Sequence, residues 1–225
     1  MTTAIGIDVG SSNVKVALVD EDGHIHASAQ RSVATHRDGE IAEQDPEAMW
    51  AAVVDGIREV TGAAPVAAKA AAAVGVCSQY SSIIPVAADG APTGPTVLYL
   101  DQRGTAPSWE ILGAHPEAFE LWVERHGIPP VGGGLSLGHI LHLQHDRPEV
   151  HAVTAAYLEP CDFVTTRLTG RISATQSTVF MSQLVDNRTL GVSTYDADLV
   201  RLSGVDADRL PPLLVDGDLV GTVRP

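Results

Sequence analysis

The stretch IGIDVGSSNVKVALVDEDG, residues 5–23, constrains the fold more than any other part of the chain. Ala4–Val9 and Val14–Val19 are two short apolar runs joined by Gly10, Ser11, Ser12 and Asn13. In the second run Val14, Val16 and Leu18 alternate with Lys15, Ala17 and Val19, which is the period of a strand. So short a connection between two strands makes the pair antiparallel. Asp20-Glu21-Asp22-Gly23 is a second turn, and His24–Val33 reads as a third strand. One feature is foreign to a plain hairpin: the carboxylate of Asp8 at the entrance to the first turn. Gly10, Ser11 and Ser12 can present backbone N–H groups and hydroxyls to a phosphate, and Lys15 lies within reach of the same anion. Asp8 can hold a hydrated Mg²⁺, which takes oxygen ligands and keeps several waters. The competing reading is an ordinary polar turn. No helix-opening G-K-[ST] is present, so this is not a Walker loop.

The remainder of the chain alternates strands and helices. EQDPEAMWAAVVDGIREV reads as a helix with Asp45 as N-cap and Pro46 at its first position. Its apolar face carries Met49, Val53, Ile57 and Val60. Ala70–Cys77 is a nearly unbroken apolar run, the pattern of a central strand covered on both faces. Further strands are expected at Ile83–Ala87, turned at ADGAP, at Val97–Asp101 and at Val153–Leu158. Helices are expected at Pro107–Leu112, Pro116–His126, Leu137–His145, Cys161–Leu168 closed by Gly170, and Ala197–Leu202. PPLLVDGDLVGTV reads as two strand-like pieces across DGD. Antiparallel strands followed by this alternation predict an α/β fold, a mixed sheet with helices on both faces. No linker, repeat or low-complexity tract interrupts residues 1–225, which are expected as one domain.

Composition narrows the function. A chain of 225 residues with 44% hydrophobic content can bury a sizeable core, and at 4% aromatic content Ala, Val, Leu and Ile must pack it. The net charge of −14 repels phosphodiester backbones and anionic lipid, which argues against nucleic-acid and membrane-surface partners. The two cysteines, Cys77 and Cys161, are far apart and read as free thiols in a reducing compartment. Asp8 interrupts the first apolar run, so no secretory signal is read there, and no run reaches membrane-spanning length; the expectation is a cytoplasmic protein. His139, His142 and His145 recur at i, i+3, i+6 with no nearby cysteine and read as an exposed helix face rather than a metal site.

Several stretches, taken in order, resemble a known family. The opening hairpin resembles the first phosphate-binding hairpin of the sugar-kinase, Hsp70 and actin superfamily, and within it the FGGY carbohydrate kinases, particularly their xylulokinase-like members. EQDPEAMW resembles the E-Q-x-P-x-x-W segment of that family, AVGVCSQYSS its strand ending in Gly-Gln, and VLYLDQRG its W-x-D-x-R loop. LEPCDFVTTRLTG resembles its L-P-x-D-[YF]-x-x-x-x-[ML]-T-G segment, and LVGTVRP the link that leads toward its catalytic strand. The resemblance implies a ribonuclease H-like fold of the actin-like ATPase and sugar kinase type, with ATP and Mg²⁺ as cofactors. It makes Asp8 the catalytic first-loop carboxylate, holding Mg²⁺ through water, and Gly10, Ser11, Ser12, Asn13 and Lys15 the phosphate contacts. Gln79, Tyr80, Ser81, Tyr99, Asp101 and Arg103 match substrate-side positions, with Tyr99 where many members have Trp. Each has a structural alternative: Asp101 and Arg103 can simply pair with each other, and Tyr80 can be core packing. Gln79 is the stronger candidate, because an amide offers both donor and acceptor to a hydroxylated ligand.

The chain also departs from the pattern. Tyr80-Ser81 stand where xylulokinase-like members have Met-His, and Thr175 and Thr178 stand at commonly acidic positions, so xylulose itself is not implied. In the family the base is an aspartate in a G-x-x-D-x-x-x-[GA] loop beyond the V-G-T-V link; Asp216 and Asp218 precede that link. The expectation is an N-terminal half that ends before the catalytic aspartate loop and is inactive alone. Its expected partners are a small sugar or polyol, ATP, and either a second copy or a C-terminal kinase half. The alternative is a non-catalytic sugar-binding or interaction domain remaining from a kinase. A repressor-type sugar kinase is disfavoured by the lack of an E-x-G-H motif and of a cysteine cluster.

Overall fold

A computed structural model describes residues 1–224; Pro225, which ends LVGTVRP, lies outside the described residues. The chain forms two compact units, one from Met1–Thr35 and Gln44–Gln79, the other from His36–Glu43 and Tyr80 onward. The crossings fall at Thr35–His36, Glu43–Gln44 and Gln79–Tyr80.

In the first unit β1 (Thr3–Val9), β2 (Asn13–Asp20) and β3 (Ile25–Ser32) form the expected antiparallel meander. After β4 (Thr35–Asp38) and β5 (Ile41–Gln44), α1 (Pro46–Ala63) and α2 (Pro65–Ala68) lead into β6 (Ala71–Ser78). β6 adds parallel to β1, giving the order β3-β2-β1-β6 and a mixed sheet. Period 2 places Ile5, Ile7, Val9, Val14, Val16 and Leu18 on one buried face, and α1 packs there with Met49, Val53 and Val60. The helix starts where the sequence says: the Asp45 side chain accepts from Glu47 N and Pro46 follows. Gly56 permits the close approach, since a Cβ there would lie 2.6 Å from Val16 Cγ2.

Two expectations are corrected here. β6 is the edge strand of the sheet rather than a central one, and Ala71, Ala72, Ala73, Gly75 and Cys77 are exposed. An Ala- and Gly-rich run costs little when left in water, so its continuity did not report cover on both faces. Correspondingly, α1 covers one face of this sheet, while Ala4 and Gly6 stay exposed with Gly75 and Cys77 on the other.

The second unit takes most of β4 and β5, which join β8 (Thr96–Val97) in the order β4-β5-β8. β7 (Ile84–Val86) pairs antiparallel with β9 (Ala156–Leu158), Ile84 opposite Leu158. α3 (Thr105–Ala114), α4 (Ala118–Arg125), α5 (Ser136–Asp146) and α6 (Pro148–Val153) precede β9, and α7 (Pro160–Thr169) follows it. β10 (Ala174–Thr175), α8 (Ala197–Ser203) and β11 (Leu213–Leu214) complete the unit. Its core gathers Ile83, Val97, Ile111, Trp122, Leu137, Ile140, Leu141, Tyr157 and Leu184. The Trp122 indole N–H is satisfied by Gln183 O at 2.9 Å.

Here the sequence reading misplaced several features. Val97–Asp101 is not a strand: β8 ends at Val97, and Asp101 N donates back to Leu98 O at 2.8 Å in a turn. α6 was not anticipated, and the second strand-like piece after DGD has no regular structure. That terminal segment instead closes α7: Arg224 N donates to Leu168 O at 2.8 Å and Arg224 Nε to Thr169 O at 3.0 Å. The expected stop at Gly170 holds, with the left-handed φ of 73° that glycine adopts freely. Finally, the histidine row of α5 is not an exposed face: two of its three members are buried and only His145 is exposed. His139 is fully buried and His142 nearly so, the latter with Nδ1 2.8 Å from Asp146 Oδ2.

Candidate functional site

In the first unit the candidate residues gather where β1 and β6 end. β1 and β2 are in register with Asp8 opposite Lys15, so the hairpin itself brings Lys15 Nζ to 3.1 Å from Asp8 Oδ2. Both side chains remain substantially in water, at 44% and 59% exposure, so this pairing does not bury the carboxylate away from a ligand. Gly10, Ser11 and Ser12 form the turn, closed by Gly10 N donating to Asn13 O at 3.0 Å. A Cβ on Gly10 would meet that same Asn13 oxygen at 3.0 Å, so the cradle is tight enough to favour glycine. Asn13 Oδ1 accepts from Ser32 Oγ at 3.2 Å, which ties the turn to β3.

The parallel pairing of β1 with β6 places Cys77 opposite Asp8, and Gln79 N donates to Val9 O at 2.7 Å. Gln79 therefore stands beside the Asp8 turn. Its Nε2 donates to Gln44 Oε1 at 3.3 Å, while its own Oε1 is buried without a hydrogen-bond partner. Gln44 in turn donates to Ser11 O at 2.7 Å and to Thr35 Oγ1 at 3.0 Å. It thus ties the turn to Gln79, a role its place in EQDPEAMW did not disclose. Cys77 lies against this group, and burial together with the Asp8 charge pushes its thiol pKa up.

The second unit holds the other candidates. Asp101 has a fully buried side chain, and Arg103 clasps it with Nε at 3.0 Å from Oδ1 and Nη2 at 2.7 Å from Oδ2. Ala42 N donates to Asp101 Oδ2 at 2.9 Å, and Arg103 Nη2 also reaches Glu43 Oε1 at 2.5 Å. Burial works against the Asp101 charge, but the hydrogen bonds from Arg103 and Ala42 prevail and hold its pKa below the usual carboxylate range. The sequence left open whether Asp101 and Arg103 only pair with each other; they do pair, with Glu43 as a third member. Tyr99 is partly exposed, and its backbone N–H donates to Ser82 Oγ at 3.3 Å. Tyr80 is 67% exposed, so it is not core packing in this structure. Ser81 is buried and adopts a left-handed φ of 58°, with Oγ donating to Gly134 O at 2.6 Å.

Two residues near these, Glu159 and Asp162, were not singled out from the sequence, and a third, His139, was read only as part of an exposed helix face. Glu159 is buried, accepts from Ser82 N at 3.1 Å and meets Ser136 Oγ with its other oxygen. Burial raises its pKa to about 8. The ring of His139, one turn beyond Ser136 on α5, has no partner for either nitrogen, and burial pulls its pKa down to about 4. Asp162 is buried as well, with its pKa raised by burial. Among the described residues no group of three or more His, Cys, Asp and Glu side chains converges as a metal cage. No helix among them is long and apolar enough to cross a membrane.

A mixed sheet whose first hairpin turn carries a carboxylate, a lysine and a glycine cradle defines a domain of the actin-like ATPase and sugar-kinase fold. The chain belongs to the FGGY family of carbohydrate kinases, whose N-terminal domain matches residues 3–225. It is 28% identical over 221 residues to a xylulose kinase of Streptomyces rubiginosus, covering 98% of this chain and 44% of that protein. It is 27% identical over 229 residues to a xylulose kinase of Bacillus subtilis, covering 100% and 44% respectively. The chain thus spans about half the length of the curated relatives it matches, 44% in both cases. Among solved structures, a xylulose kinase from Rhodospirillum rubrum superposes with a TM-score of 0.88 at 20% identity, covering 99% of this chain and 44% of that one. A glycerol kinase from Plasmodium falciparum, solved with ADP, gives 0.85 at 18% identity, covering 100% and 45%. At such identities the superpositions establish the fold.

Proposed function

We propose that this chain supplies the phosphate- and sugar-binding half of an ATP-dependent kinase acting on a hydroxyl of a small sugar or polyol. The observation that carries this reading is the meeting of the Asp8 turn with the unpartnered Gln79 Oε1 at the ends of β1 and β6. A buried acceptor without a donor costs about 1–3 kcal/mol, and a ligand hydroxyl removes that cost. The donor set also fits the group that the family uses. Mg²⁺ is commonly bound by one or two carboxylates together with phosphate oxygens and waters, so Asp8 suffices without a protein cage.

In this reading Asp8 holds the metal through water, and Lys15 with the N–H groups of Gly10, Ser11, Ser12 and Asn13 receives phosphoryl oxygens. Bound Mg²⁺ supplies charge neutralisation across the transferring phosphate. Gln79 orients the accepting hydroxyl. Tyr80, Ser81 and Tyr99 supply the substrate-side contacts of the second unit, and Asp101 acts through Arg103, since it is itself enclosed. On the family resemblance, the base that takes the hydroxyl proton and the surface that holds adenosine are assigned outside residues 1–225, which span 44% of those relatives. Losing a positioned base removes a factor of about 10² to 10⁴ in rate, so the chain alone is not expected to turn over.

Calorimetry of the purified chain with Mg²⁺ and inorganic phosphate, and with Mg·ATP, tests the assignment. Weak binding that disappears in Asp8→Asn is expected; equal binding by both proteins overturns it. A coupled ADP-release assay against pentuloses, hexuloses and polyols tests the division of labour. Steady turnover by the chain alone, abolished by Asp8→Ala, would refute the claim that the base lies elsewhere.

A further inference from the structure

We infer that Glu159 is a positioning residue for the Tyr80–Ser82 segment, locking the left-handed Ser81 backbone from which Tyr80 projects. Its importance for ligand recognition rests on the proposed substrate-side role of Tyr80 and Ser81; the positioning itself does not. A residue with a Cβ in the left-handed region costs roughly 1–2 kcal/mol and persists only where its surroundings over-determine it. Here the surroundings are a closed polar network. Ser81 Oγ donates to Gly134 O, Ser82 N to Glu159 Oε2, and Tyr99 N to Ser82 Oγ, while Ser136 Oγ meets Glu159 Oε1. Ser81, Ser82, Ser136 and Glu159 are all buried, whereas Tyr80 stands out into solvent.

Glu159 occupies the N-cap of α7 yet makes no side-chain cap to its own helix. An acidic residue there ordinarily satisfies the helix's free N–H groups. This one turns away and joins two segments that are remote in sequence, Ser82 and Ser136. A buried carboxyl without a cation is costly, and no cation figures among the groups that shift Glu159. Other titratable groups lie close by. Asp162 on α7 is buried, with Glu159 among the influences raising it, and His139 on α5 feels the Ser81 backbone. Neither offers a compensating charge at neutral pH, because burial disfavours the ionised form of both. The uncharged carboxyl still accepts from Ser82 N, a role that the glutamine carbonyl reproduces and leucine cannot.

Hydrogen exchange of the full chain, read by mass spectrometry on peptides covering residues 79–83 between pH 5 and 8, tests this. Opening the network frees Glu159 to ionise, so opening should become easier by approaching tenfold per pH unit in that window, on top of the ordinary base catalysis of exchange. For wild type, log rate against pH should have a slope of about two; in Glu159→Gln it should fall to about one with protection retained. Glu159→Leu should lose protection here while peptides from α3 and α8 are unchanged. If Glu159→Leu does not fold, Ser136→Ala takes its place, with exchange at 79–83 at least about tenfold faster than wild type, the equivalent of one lost hydrogen bond. Unchanged protection in Glu159→Leu or Ser136→Ala, or the same slope in Glu159→Gln as in wild type, overturns the inference. None of these readouts involves ligand, so a failure of phosphate binding at Asp8 would leave the result intact.

Discussion

Replacing Asp101 by Asn separates a structural ion pair from an incidental one. The carboxylate has no exposed surface and accepts from Ala42 N, from Arg103 N at 3.0 Å and from the Arg103 guanidinium. Asparagine keeps the volume but turns one acceptor into a donor, so an NH₂ group must face Arg103 or Ala42. It also leaves a guanidinium that is only 16% exposed with Glu43 as its remaining partner. Removing one member of a buried pair typically costs 3–5 kcal/mol; the surviving Glu43 contact argues for the lower end, about 3 kcal/mol. Urea unfolding in a Trp50→Phe background measures this, because Trp109 and Trp122 then report the second unit alone. The pH dependence adds a second check. The native pKa of Asp101 is depressed, so its contribution is present above the unfolded value near 3.8 and is lost as pH falls through the lower native value. Asp101→Asn should therefore flatten the acid limb of the stability profile below about pH 4. A loss under about 1 kcal/mol with an unchanged acid limb would put this pair with ordinary surface salt bridges and refute the reasoning.

Glu159 carries the opposite sign. Its native pKa is raised to about 8, so the stability it supports is complete below the unfolded value and drains away as pH climbs toward 8. Urea melts should show a decline approaching about 1.4 kcal/mol per pH unit in that window, shallower in Glu159→Gln. Asp8→Asn should change stability by less than about 0.5 kcal/mol, because the Lys15 pair it breaks is exposed and screened; a larger loss would make Asp8 a structural residue. Gly56→Ala sets a helix-propensity gain of about 1 kcal/mol against overpacking of about 1–3 kcal/mol on the stiff Val16 side chain. A net loss of up to about 2 kcal/mol in the first unit is expected, and a stabilised variant would show that Val16 yields.

Much of the first unit was legible because its interactions close within one supersecondary motif. Alternation in the opening stretch fixes which side chains face α1, and the short turn fixes the register that sets Asp8 against Lys15. Asp45 and Pro46 mark the helix start by chemistry within one turn. β6 was misjudged for a physical reason: Ala and Gly tolerate water as readily as burial. Periodicity could not separate a doubly covered strand from an edge strand of small residues. The histidines of α5 failed in part, since their spacing does not show which of them the core takes: His139 and His142 are buried, while His145 is exposed. The packing of Leu137, Ile140 and Leu141 into the second unit's core decides that, and His139 goes with them.

Glu159 marks the limit more sharply. Read locally, an acidic residue before Pro160 at the start of a helix is a cap or a solvated charge. Its actual partners, Ser82 and Ser136, lie 77 and 23 residues away, and neither serine carries a pattern that announces a buried acid. Asp101 was within reach of sequence because Arg103 is two positions on, whereas Glu43, 60 residues before Arg103, was not recognised as the third member of that cluster. The legible residues are thus those proposed to touch phosphate or sugar, while the residues that hold them are non-local. That division bears on variants of this chain. Substitutions at Asp8 or Gln79 should alter ligand binding at nearly constant stability. Substitutions at Asp101 or Glu159 should alter stability first and recognition only through the backbone they fix. A binding defect in Glu159→Leu without faster exchange at residues 79–83 would break that ordering and make Glu159 a direct ligand contact.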